Sequence, residues 1–272
     1  MQVVDHLSQV SKFELDPIAL VPTMGALHKG HAELIRQAQQ LSESVMVSIF
    51  VNPLQFDDPA DLENYPSTPE SDIAIATQSG ARVLWIPKYG EIYPEPIERL
   101  DTGKVGALFE GAMRQGHFDG VLAVVNRLFE LVQPRWAFFG EKDFQQLFLI
   151  RKMVADLGLD IEIVAVPTVR EPNGLAISSR NVRLTPKDVQ TALVISRALT
   201  NASEMGSVEL MEQEMNQTLA SEPSFKAEYA AIIDETDFSP ATDATLRKRG
   251  LVAGWVNGVR LIDNMPMVSR TR

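Results

Sequence analysis

The stretch Ile18-Ala-Leu-Val-Pro-Thr-Met-Gly-Ala-Leu-His-Lys-Gly-His31 decides how the chain folds. Its apolar start at 18–21 predicts a buried strand, and apolar residues recur at helical spacing over 31–42. Gly25 lies in the turn between the two and lets the backbone approach a ligand closely. Gly30 removes bulk where the helix starts. A strand, a glycine-bearing turn and a helix start therefore form the first predicted site.

The same alternation continues through the first half of the chain. Further apolar runs predict strands at 44–51, 82–86, 136–139 and 161–166. Helical patterns predict helices at 71–80, 118–131 and 144–157. We expect 52–69 to be a long loop with room for one helical turn, and 90–116 to be irregular. Strands that alternate with helices predict an α/β fold, a Rossmann-like doubly wound parallel sheet whose ligands lie beyond the carboxyl ends of the strands.

The pattern changes after Pro167. A polar stretch at 168–183 contains the turn signal Glu171-Pro-Asn-Gly174. Helical patterns follow at 186–203 and 208–219, and strand patterns at 227–233, 250–256 and 259–262. Asn257-Gly258 joins the last two as a strong hairpin signal. We therefore expect two domains, residues 1–168 and a smaller α+β C-terminal domain of residues 169–272.

Composition argues against several classes of function. The 272 residues carry a formal net charge of -11 and no cysteine. An acidic protein is a poor partner for nucleic acid or anionic membranes, although a local positive pocket can still bind a small anion. The lack of cysteine excludes disulfides and thiolate chemistry. No signal peptide or spanning segment is visible. The missing cysteine fits a reducing cytoplasm, which is the expected location.

Two histidines stand where the first helix is predicted to begin. His28 and His31 are three residues apart and therefore face the same side of the first turn. The N-terminus of a helix favours phosphate, and imidazoles there can donate hydrogen bonds to phosphate oxygens and stabilise a leaving group. Zinc binding and ordinary surface histidines are the alternatives. Zinc is disfavoured because no third ligand of the right type stands nearby.

Two further motifs follow predicted strands. Asn52-Pro-Leu-Gln-Phe56 contains Gln55, whose amide can donate and accept and so suits a hydroxyl-bearing carboxylate. Gly140-Glu-Lys-Asp-Phe-Gln-Gln146 offers Lys142 for phosphate and Asp143 for a ribose hydroxyl. An ordinary polar loop residue and a charged helix start are the structural alternatives.

The remaining candidates are weaker by themselves. Ile177-Ser-Ser-Arg-Asn181 could clamp a phosphate with two hydroxyls and a guanidinium, or be a capped turn. Glu70 and Asp72 could face Mg²⁺ on a triphosphate, or cap a helix. His117-Phe-Asp-Gly120 is either a recognition turn or a helix start, and Asp263-Asn264 is interpreted as structural.

The motifs together resemble the pantothenate synthetase (pantoate–β-alanine ligase) family of His-x-Gly-His nucleotidyltransferases. The resemblance spans 21–264 and rests on five stretches in order: Pro22-Thr-Met-Gly-Ala-Leu-His-Lys-Gly-His31, Phe50-Val-Asn-Pro-Leu-Gln-Phe56, Phe139-Gly-Glu-Lys-Asp-Phe-Gln-Gln-Leu147, Val166-Pro-Thr-Val-Arg-Glu171 and Ser178-Ser-Arg-Asn181. The chain departs from the family in a shorter segment before Ile18, in a divergent stretch at 200–239, and at Ser71, where the family often has an acid.

The resemblance implies a two-step reaction. Pantoate would attack the α-phosphorus of ATP to give pantoyl adenylate and pyrophosphate, and β-alanine would then displace AMP. The partners would be small molecules, ATP, pantoate and β-alanine, with Mg²⁺ beside ATP and a homodimer as the assembly. Residues 1–168 would bind nucleotide and pantoate, and residues 169–272 would act as a lid.

The resemblance also assigns roles to matching residues. His31, His28 and Lys142 would be catalytic. The ATP contacts would be Met24, Gly25, Ala26, Leu27, His28, Lys29, Gly30, His31, Gly140, Glu141, Lys142, Asp143, Val169, Ile177, Ser178, Ser179 and Arg180. Gln55, Gln146 and Met24 would contact pantoate and β-alanine, and Asp72 would be a metal ligand.

Two other functions compete with this interpretation. One is a nucleotidyltransferase that keeps the nucleotide in its product, such as a cytidylyltransferase. The other is a nucleotide sensor without catalysis, which would bind ATP and release no pyrophosphate. The two glutamines and the Ser-Ser-Arg loop argue against the first, and the set of His28, His31, Lys142 and Arg180 argues against the second.

Overall fold

The computed structural model describes residues 1–10, 17–95 and 100–267. The chain divides into two compact units, Met1–Pro167 and Thr168–Arg272. The first contains a six-stranded parallel sheet with helices, and the second a three-stranded antiparallel sheet with helices. This confirms the predicted fold class, a Rossmann-like α/β domain followed by a smaller α+β domain. Residues 11–16 of the segment before Ile18 lie outside the described residues.

The sheet of the first unit places two strand ends beside each other. Its strands are β1 (Gln2–Val4), β2 (Ile18–Thr23), β3 (Ser44–Ile49), β4 (Val83–Trp85), β5 (Trp136–Gly140) and β6 (Glu162–Val166). They lie in the order β1-β4-β3-β2-β5-β6. After β2 the chain winds outward through β3 and β4, then returns to the other side of β2 for β5. The winding therefore reverses between β2 and β5, where parallel sheets place their ligands.

Seven helices, from 4 to 16 residues long, lie between the described strands of this unit. They are α1 (Lys29–Leu41), α2 (Pro59–Glu63), α3 (Pro69–Ser79), α4 (Tyr89–Ile92), α5 (Phe109–Met113), α6 (His117–Val132) and α7 (Phe144–Asp156). Apolar residues of α1 and of alternate positions in β2 and β3 form one core cluster, which contains Leu34, Ile35, Ala38, Ala19, Val21, Val45 and Val47. This packing fixes α1 against the sheet, so that its N-terminus stays at the end of β2.

The predicted loops contain more helix than their patterns indicated. The stretch 52–69 has a 3₁₀ turn at Pro53–Gln55 as well as α2. The expectation that 90–116 is irregular was wrong where α5 and a 3₁₀ turn at Val105–Ala107 lie, and 96–99 lie outside the described residues. Helices this short give no periodic pattern. Distant contacts support them, because the Gln145 amide donates to the carbonyls of Val105 and Leu108. Strand β1 was also missed because three residues show no alternation.

The second unit is built on a meander of three strands. These are β7 (Phe225–Asp234), β8 (Lys248–Val256) and β9 (Val259–Met267), and the helices α8 (Pro186–Ser203) and α9 (Val208–Ala220) pack on them. Val256 pairs with Val259 across the predicted hairpin. Asn257 and Gly258 both have positive φ, 47° and 78°, as a two-residue type I′ turn requires. Across the described residues, no helix has the length and apolar character needed to cross a membrane.

Candidate active site

The turn between β2 and α1 has an unusual backbone. Gly25 and Ala26 both have positive φ, 84° and 48°. Glycine adopts such angles easily, whereas alanine rarely does. The Thr23 hydroxyl accepts from the Gly25 N–H at 3.1 Å and donates to the Ser48 carbonyl at 2.8 Å. The turn is therefore anchored to the neighbouring strand β3 at its start.

A buried carboxylate holds the rest of the turn. Asp72 of α3 is only 2% exposed. Its Oδ2 accepts from the Ala26 N–H at 3.1 Å, and its Oδ1 accepts from the Leu27 N–H at 2.7 Å and from the Thr68 hydroxyl at 2.9 Å. Asp72 therefore contacts the turn through both oxygens, a contact that the local sequence pattern did not reveal.

The two histidines form a stacked pair at the start of α1, which begins at Lys29, two residues earlier than predicted. Their ring centroids are 4.0 Å apart. His28 Nδ1 accepts from the Gly30 N–H at 3.1 Å, and His31 Nδ1 accepts from the His28 N–H at 3.2 Å. Because each Nδ1 is an acceptor, the neutral form of each ring carries its proton on Nε2. The pair thus presents two Nε2–H donors.

Both imidazoles are neutral near pH 7. The pKa of His28 is lowered to about 4, chiefly by burial and then by the Lys142 charge, while the Asp143 charge opposes the shift. Burial also lowers the pKa of His31 well below its usual value, and His28 and Lys142 add to the effect. Lys142 therefore acts electrostatically on both rings. Since Lys142 directly follows β5, the end of β5 lies close to the histidine pair, at the point where the winding of the sheet reverses.

The segment after β5 carries the predicted Gly140–Asp143 contacts. A 3₁₀ turn at Glu141–Asp143 leads into α7, and Gln146 is partly buried in the first turn of that helix. Lys142 Nζ lies 3.5 Å from a carboxylate oxygen of Asp143. The cation is thus held close to the histidine pair while its neighbour partly balances its charge.

Gln55 lies in a buried network on the 3₁₀ turn after β3. Its side chain is anchored because its Oε1 accepts from Asn52 Nδ2 at 3.1 Å, and the residue is 8% exposed. The backbone carbonyl oxygen of Gln55 accepts from His117 Nδ1 at 2.7 Å and from the Arg114 guanidinium at 3.3 Å. His117 is the first residue of helix α6, as one of its two predicted readings had it, and its ring binds the Gln55 turn.

The network around Gln55 was only partly visible in the sequence. Asn52 is 1% exposed, donates to the Gly120 carbonyl at 2.9 Å and accepts from the Tyr93 hydroxyl at 3.0 Å. His117 donates from Nδ1, and burial lowers its pKa to about 4 with help from the Arg114 charge. Asn52 stands in the quoted motif, but its partners are 41 and 68 residues away. No local pattern could have identified Tyr93 or Arg114.

In the second unit, the predicted nucleotide contacts lie on one loop. The Ile177 N–H donates to the Val169 carbonyl at 3.0 Å, and Ser178 Oγ accepts from the Arg180 N–H at 3.3 Å. Arg170 pairs with Asp263 through both terminal guanidinium nitrogens, at 2.5 Å and 2.9 Å. Asp263 therefore has a structural role, because its ion pair with Arg170 holds the start of this loop against β9.

A protein-built metal site does not fit the residues described. Among residues 1–10, 17–95 and 100–267, no group of three or more histidine, cysteine or acidic side chains could hold a metal. Both Asp72 oxygens are already hydrogen-bonded, and Glu70 is exposed to solvent. The groups that the site offers, namely the imidazole N–H groups, the Lys142 ammonium and the Gln55 amide, suit anions and hydroxyls rather than a metal cation held by the protein.

Comparison with known proteins decides the family. The family model for pantoate-beta-alanine ligase matches residues 1–266. The chain belongs to the pantoate–β-alanine ligase family. It is therefore an enzyme of the ligase class, as the motifs predicted.

Relatives in the pantoate–β-alanine ligase family cover nearly the whole chain. Pantothenate synthetase of Acidothermus cellulolyticus is 47% identical over 261 residues, 92% of this chain and 86% of that protein. The crystal structure of pantothenate synthetase from Thermus thermophilus superposes with a TM-score of 0.93 at 43% identity, covering 97% of this chain and 99% of that one. The Francisella tularensis pantoate-beta-alanine ligase, complexed with beta-gamma ATP and beta-alanine, has a TM-score of 0.80 at 34% identity and covers 97% of each chain.

Proposed function

We propose that the chain condenses (R)-pantoate with β-alanine in an ATP-dependent reaction that passes through pantoyl adenylate. The observation that carries the proposal is the stacked, neutral histidine pair beside Lys142 at the reversal of the sheet's winding. The family supports the substrates, and the Francisella relative is complexed with an ATP compound and β-alanine. The released products would be pyrophosphate and AMP.

In the first step, the pantoate carboxylate attacks the α-phosphorus of ATP, and the bond to the β-phosphate oxygen breaks. Negative charge develops on the departing pyrophosphate. The Nε2–H groups of His28 and His31 donate to phosphate oxygens, and Lys142 neutralises charge. Because the donors are held in advance by helix α1 and by each other, they need little reorganisation. Met24 to His31 and Gly140 to Asp143 are the proposed ATP contacts of this unit.

Gln55 and Gln146 are the proposed contacts for pantoate, together with Met24. The anchored Gln55 keeps amide N–H groups for a ligand, since its Oε1 accepts from Asn52. An amide suits a substrate that combines hydroxyl groups with a carboxylate. The network around Asn52 would keep this amide in one orientation.

In the second step, the β-alanine amine attacks the acyl carbon of the adenylate. The amide bond forms, the acyl–phosphate bond breaks and AMP leaves. No covalent enzyme intermediate is needed, which agrees with a chain that has no cysteine. The protein contributes positioning and charge stabilisation to both steps.

Further parts of the proposal lie outside this site. Val169 and Ile177 to Arg180 are proposed ATP contacts of the second unit, the lid domain of the prediction. Mg²⁺ is proposed to arrive with ATP as part of the substrate, since the described residues form no metal cluster. The homodimer and the cytoplasmic location stay predictions.

ATP–pyrophosphate exchange tests the proposal most directly. Exchange that depends on pantoate and proceeds without β-alanine is expected, and adding β-alanine should yield AMP and an amide. A product that keeps the nucleotide would favour a cytidylyltransferase-like enzyme. Binding of ATP without pyrophosphate release would favour a nucleotide sensor.

A further inference from the structure

Asp72 of helix α3, which the family resemblance implies as a metal ligand, has both carboxylate oxygens engaged by hydrogen bonds within the protein. We propose that Asp72 is a positioning residue that holds the turn between β2 and α1, and that it is not a metal ligand. Asp72 holds the turn in the free protein, before any ligand binds. The consequence for ATP rests on the proposed function.

The backbone of the turn needs an external support. Gly25 and Ala26 are both left-handed, and for Ala26 this conformation is unfavourable because of its Cβ. Such conformations persist only where surrounding contacts over-determine them. The N–H groups of Ala26 and Leu27 both donate to Asp72. The carboxylate therefore holds the part of the turn that is least stable by itself.

The fit between the turn and the carboxylate is close. A Cβ built on Gly25 would lie 3.1 Å from Asp72 Oδ2 and 3.1 Å from a methyl carbon of Ile49. The Thr68 hydroxyl gives the carboxylate a third donor from the N-cap of its own helix. The start of α3 therefore holds the Asp72 carboxylate in place, and the carboxylate holds the turn between β2 and α1.

The Asp72 carboxylate also limits where a phosphate can bind in this turn. Two adjacent N–H groups at a turn form an attractive site for a phosphate oxygen. Here an internal anion already occupies them. The proposed ATP contacts of Ala26 and Leu27 therefore do not use these two N–H groups, and the histidine pair and Lys142 supply the phosphate donors of this part of the site.

The same contacts argue against Mg²⁺ on Asp72. Mg²⁺ binds oxygen ligands in a near-ideal octahedron and keeps several waters. Asp72 is 2% exposed and accepts three hydrogen bonds. Direct coordination would have to break the contacts that hold the turn.

The test uses Asp72→Asn, which keeps the shape but presents an NH₂ group to one of the two N–H donors. In the ligand-free protein, amide exchange in a peptide spanning 23–31 should accelerate by about tenfold or more, as loss of a buried hydrogen bond implies. The rate of pantoate-dependent ATP–pyrophosphate exchange should fall by at least about tenfold. The Mg²⁺ concentration for half-maximal rate should stay within about twofold of its original value.

Asp58→Asn is the matched control, because Asp58 caps the neighbouring helix α2 through the Ala60 N–H and does not hold this turn. Unchanged amide exchange in Asp72→Asn, with a half-saturating Mg²⁺ concentration raised by about tenfold and activity restored at high Mg²⁺, would overturn the proposal.

A second variant covers the case in which Asp72→Asn does not fold. Thr68→Val removes one hydrogen bond from the carboxylate and leaves the carboxylate itself in place. It should accelerate exchange in the same peptide by a smaller factor and leave the Mg²⁺ dependence unchanged. An unchanged exchange rate in Thr68→Val would contradict the proposal. Because exchange is measured without substrates, this result is independent of whether the proposed reaction is correct.

Discussion

At the scale of single residues, the site depends on which ring nitrogen of each histidine carries a proton. His28 and His31 accept at Nδ1, whereas His117 donates from Nδ1 to the Gln55 carbonyl. Burial keeps all three rings neutral, so the tautomers differ although the charges do not. The pair has Nε2–H available for donation in its neutral form, and His117 uses its proton inside the protein.

This assignment predicts an order among substitutions of His31. His31→Ala should lower adenylate formation by about 10² to 10³, the usual cost of removing one such donor. His31→Gln places an amide N–H near the position of Nε2 and should retain more activity than His31→Asn, whose amide lies near Nδ1. Pyrophosphate exchange measures all three. His6→Gln is the control, because the His6 side chain is 52% exposed and pairs with Glu91 away from the turn.

For His117 the order should be reversed. His117→Asn can still donate near the position of Nδ1 to the Gln55 carbonyl, whereas His117→Gln cannot do so without moving. The KM for pantoate should therefore rise less in the asparagine variant than in the glutamine variant. If both histidines showed the same order, the tautomer assignment would be wrong.

At the scale of elements, the 3₁₀ turn at Pro53–Gln55 is held by residues from α6 and from the segment after α4. Gln55→Ala should raise the KM for pantoate by at least about tenfold, because a buried polar contact to substrate is lost. The KM for ATP should change little. Steady-state kinetics with each substrate varied in turn measures both values.

Gln37→Ala provides the matched control for this substitution. The Gln37 amide donates to Glu33 within α1, so its removal should change neither constant. An equal rise of both KM values in Gln55→Ala would contradict the assignment of Gln55 to pantoate.

The loop at 169–180 depends on a second element-scale contact, the pair of Arg170 and Asp263. The Asp263 side chain is 4% exposed, so Asp263→Asn leaves the Arg170 charge without its partner in a largely buried place. We expect the KM for ATP to rise by about tenfold while that for pantoate is unchanged, since the predicted nucleotide contacts lie on this loop. Asp160→Asn is the control, because its pair with Arg135 is on the surface, with the Asp160 side chain 95% exposed.

Elements were predictable from the sequence where a local pattern encodes them. The apolar run at 44–51 became β3, and Asn257-Gly258 became the hairpin turn of β8 and β9. Strand β1 and helix α5 were missed because three and five residues contain too few side chains to show a period.

The candidate site was predictable to a different extent. His28, His31 and Lys142 stand in motifs, and the structure places them together through the order of β2 and β5. The buried polar contacts were not predictable, because Asp72 lies 45 residues from Leu27 and Asn52 lies 68 residues from Gly120. Which polar groups meet inside a protein depends on tertiary packing, and a single sequence shows only residue types.

At the scale of the whole molecule, the two units differ in how their charges respond to acid. His28, His31 and His117 all belong to the first unit and all have lowered pKa values. The unfolded chain takes up protons on these rings near pH 6.5, whereas the folded unit does not until much lower pH. Their contribution to stability is therefore full above about pH 6.5 and is lost as the pH falls towards about 4.

This predicts that the first unit loses stability between about pH 7 and pH 4.5, and that His117 accounts for a measurable part. His117 is 7% exposed and its pKa is about 4, so with about 1.4 kcal/mol for each pKa unit its share is on the order of 3 kcal/mol. Urea unfolding at a series of pH values measures the effect. A Trp255→Phe background leaves Trp85 and Trp136, both in the first unit, as the fluorescent reporters.

His117→Asn is the decisive comparison, because asparagine does not titrate and keeps a donor for the Gln55 carbonyl. The free energy of unfolding of this variant should fall less steeply as the pH decreases, by up to about one bound proton in the slope. If the free energy of unfolding of His117→Asn depended on pH as steeply as that of the original protein, His117 would titrate alike in the folded and unfolded chain. The assignment of His117 as a buried, neutral imidazole that orients Gln55 would then be wrong.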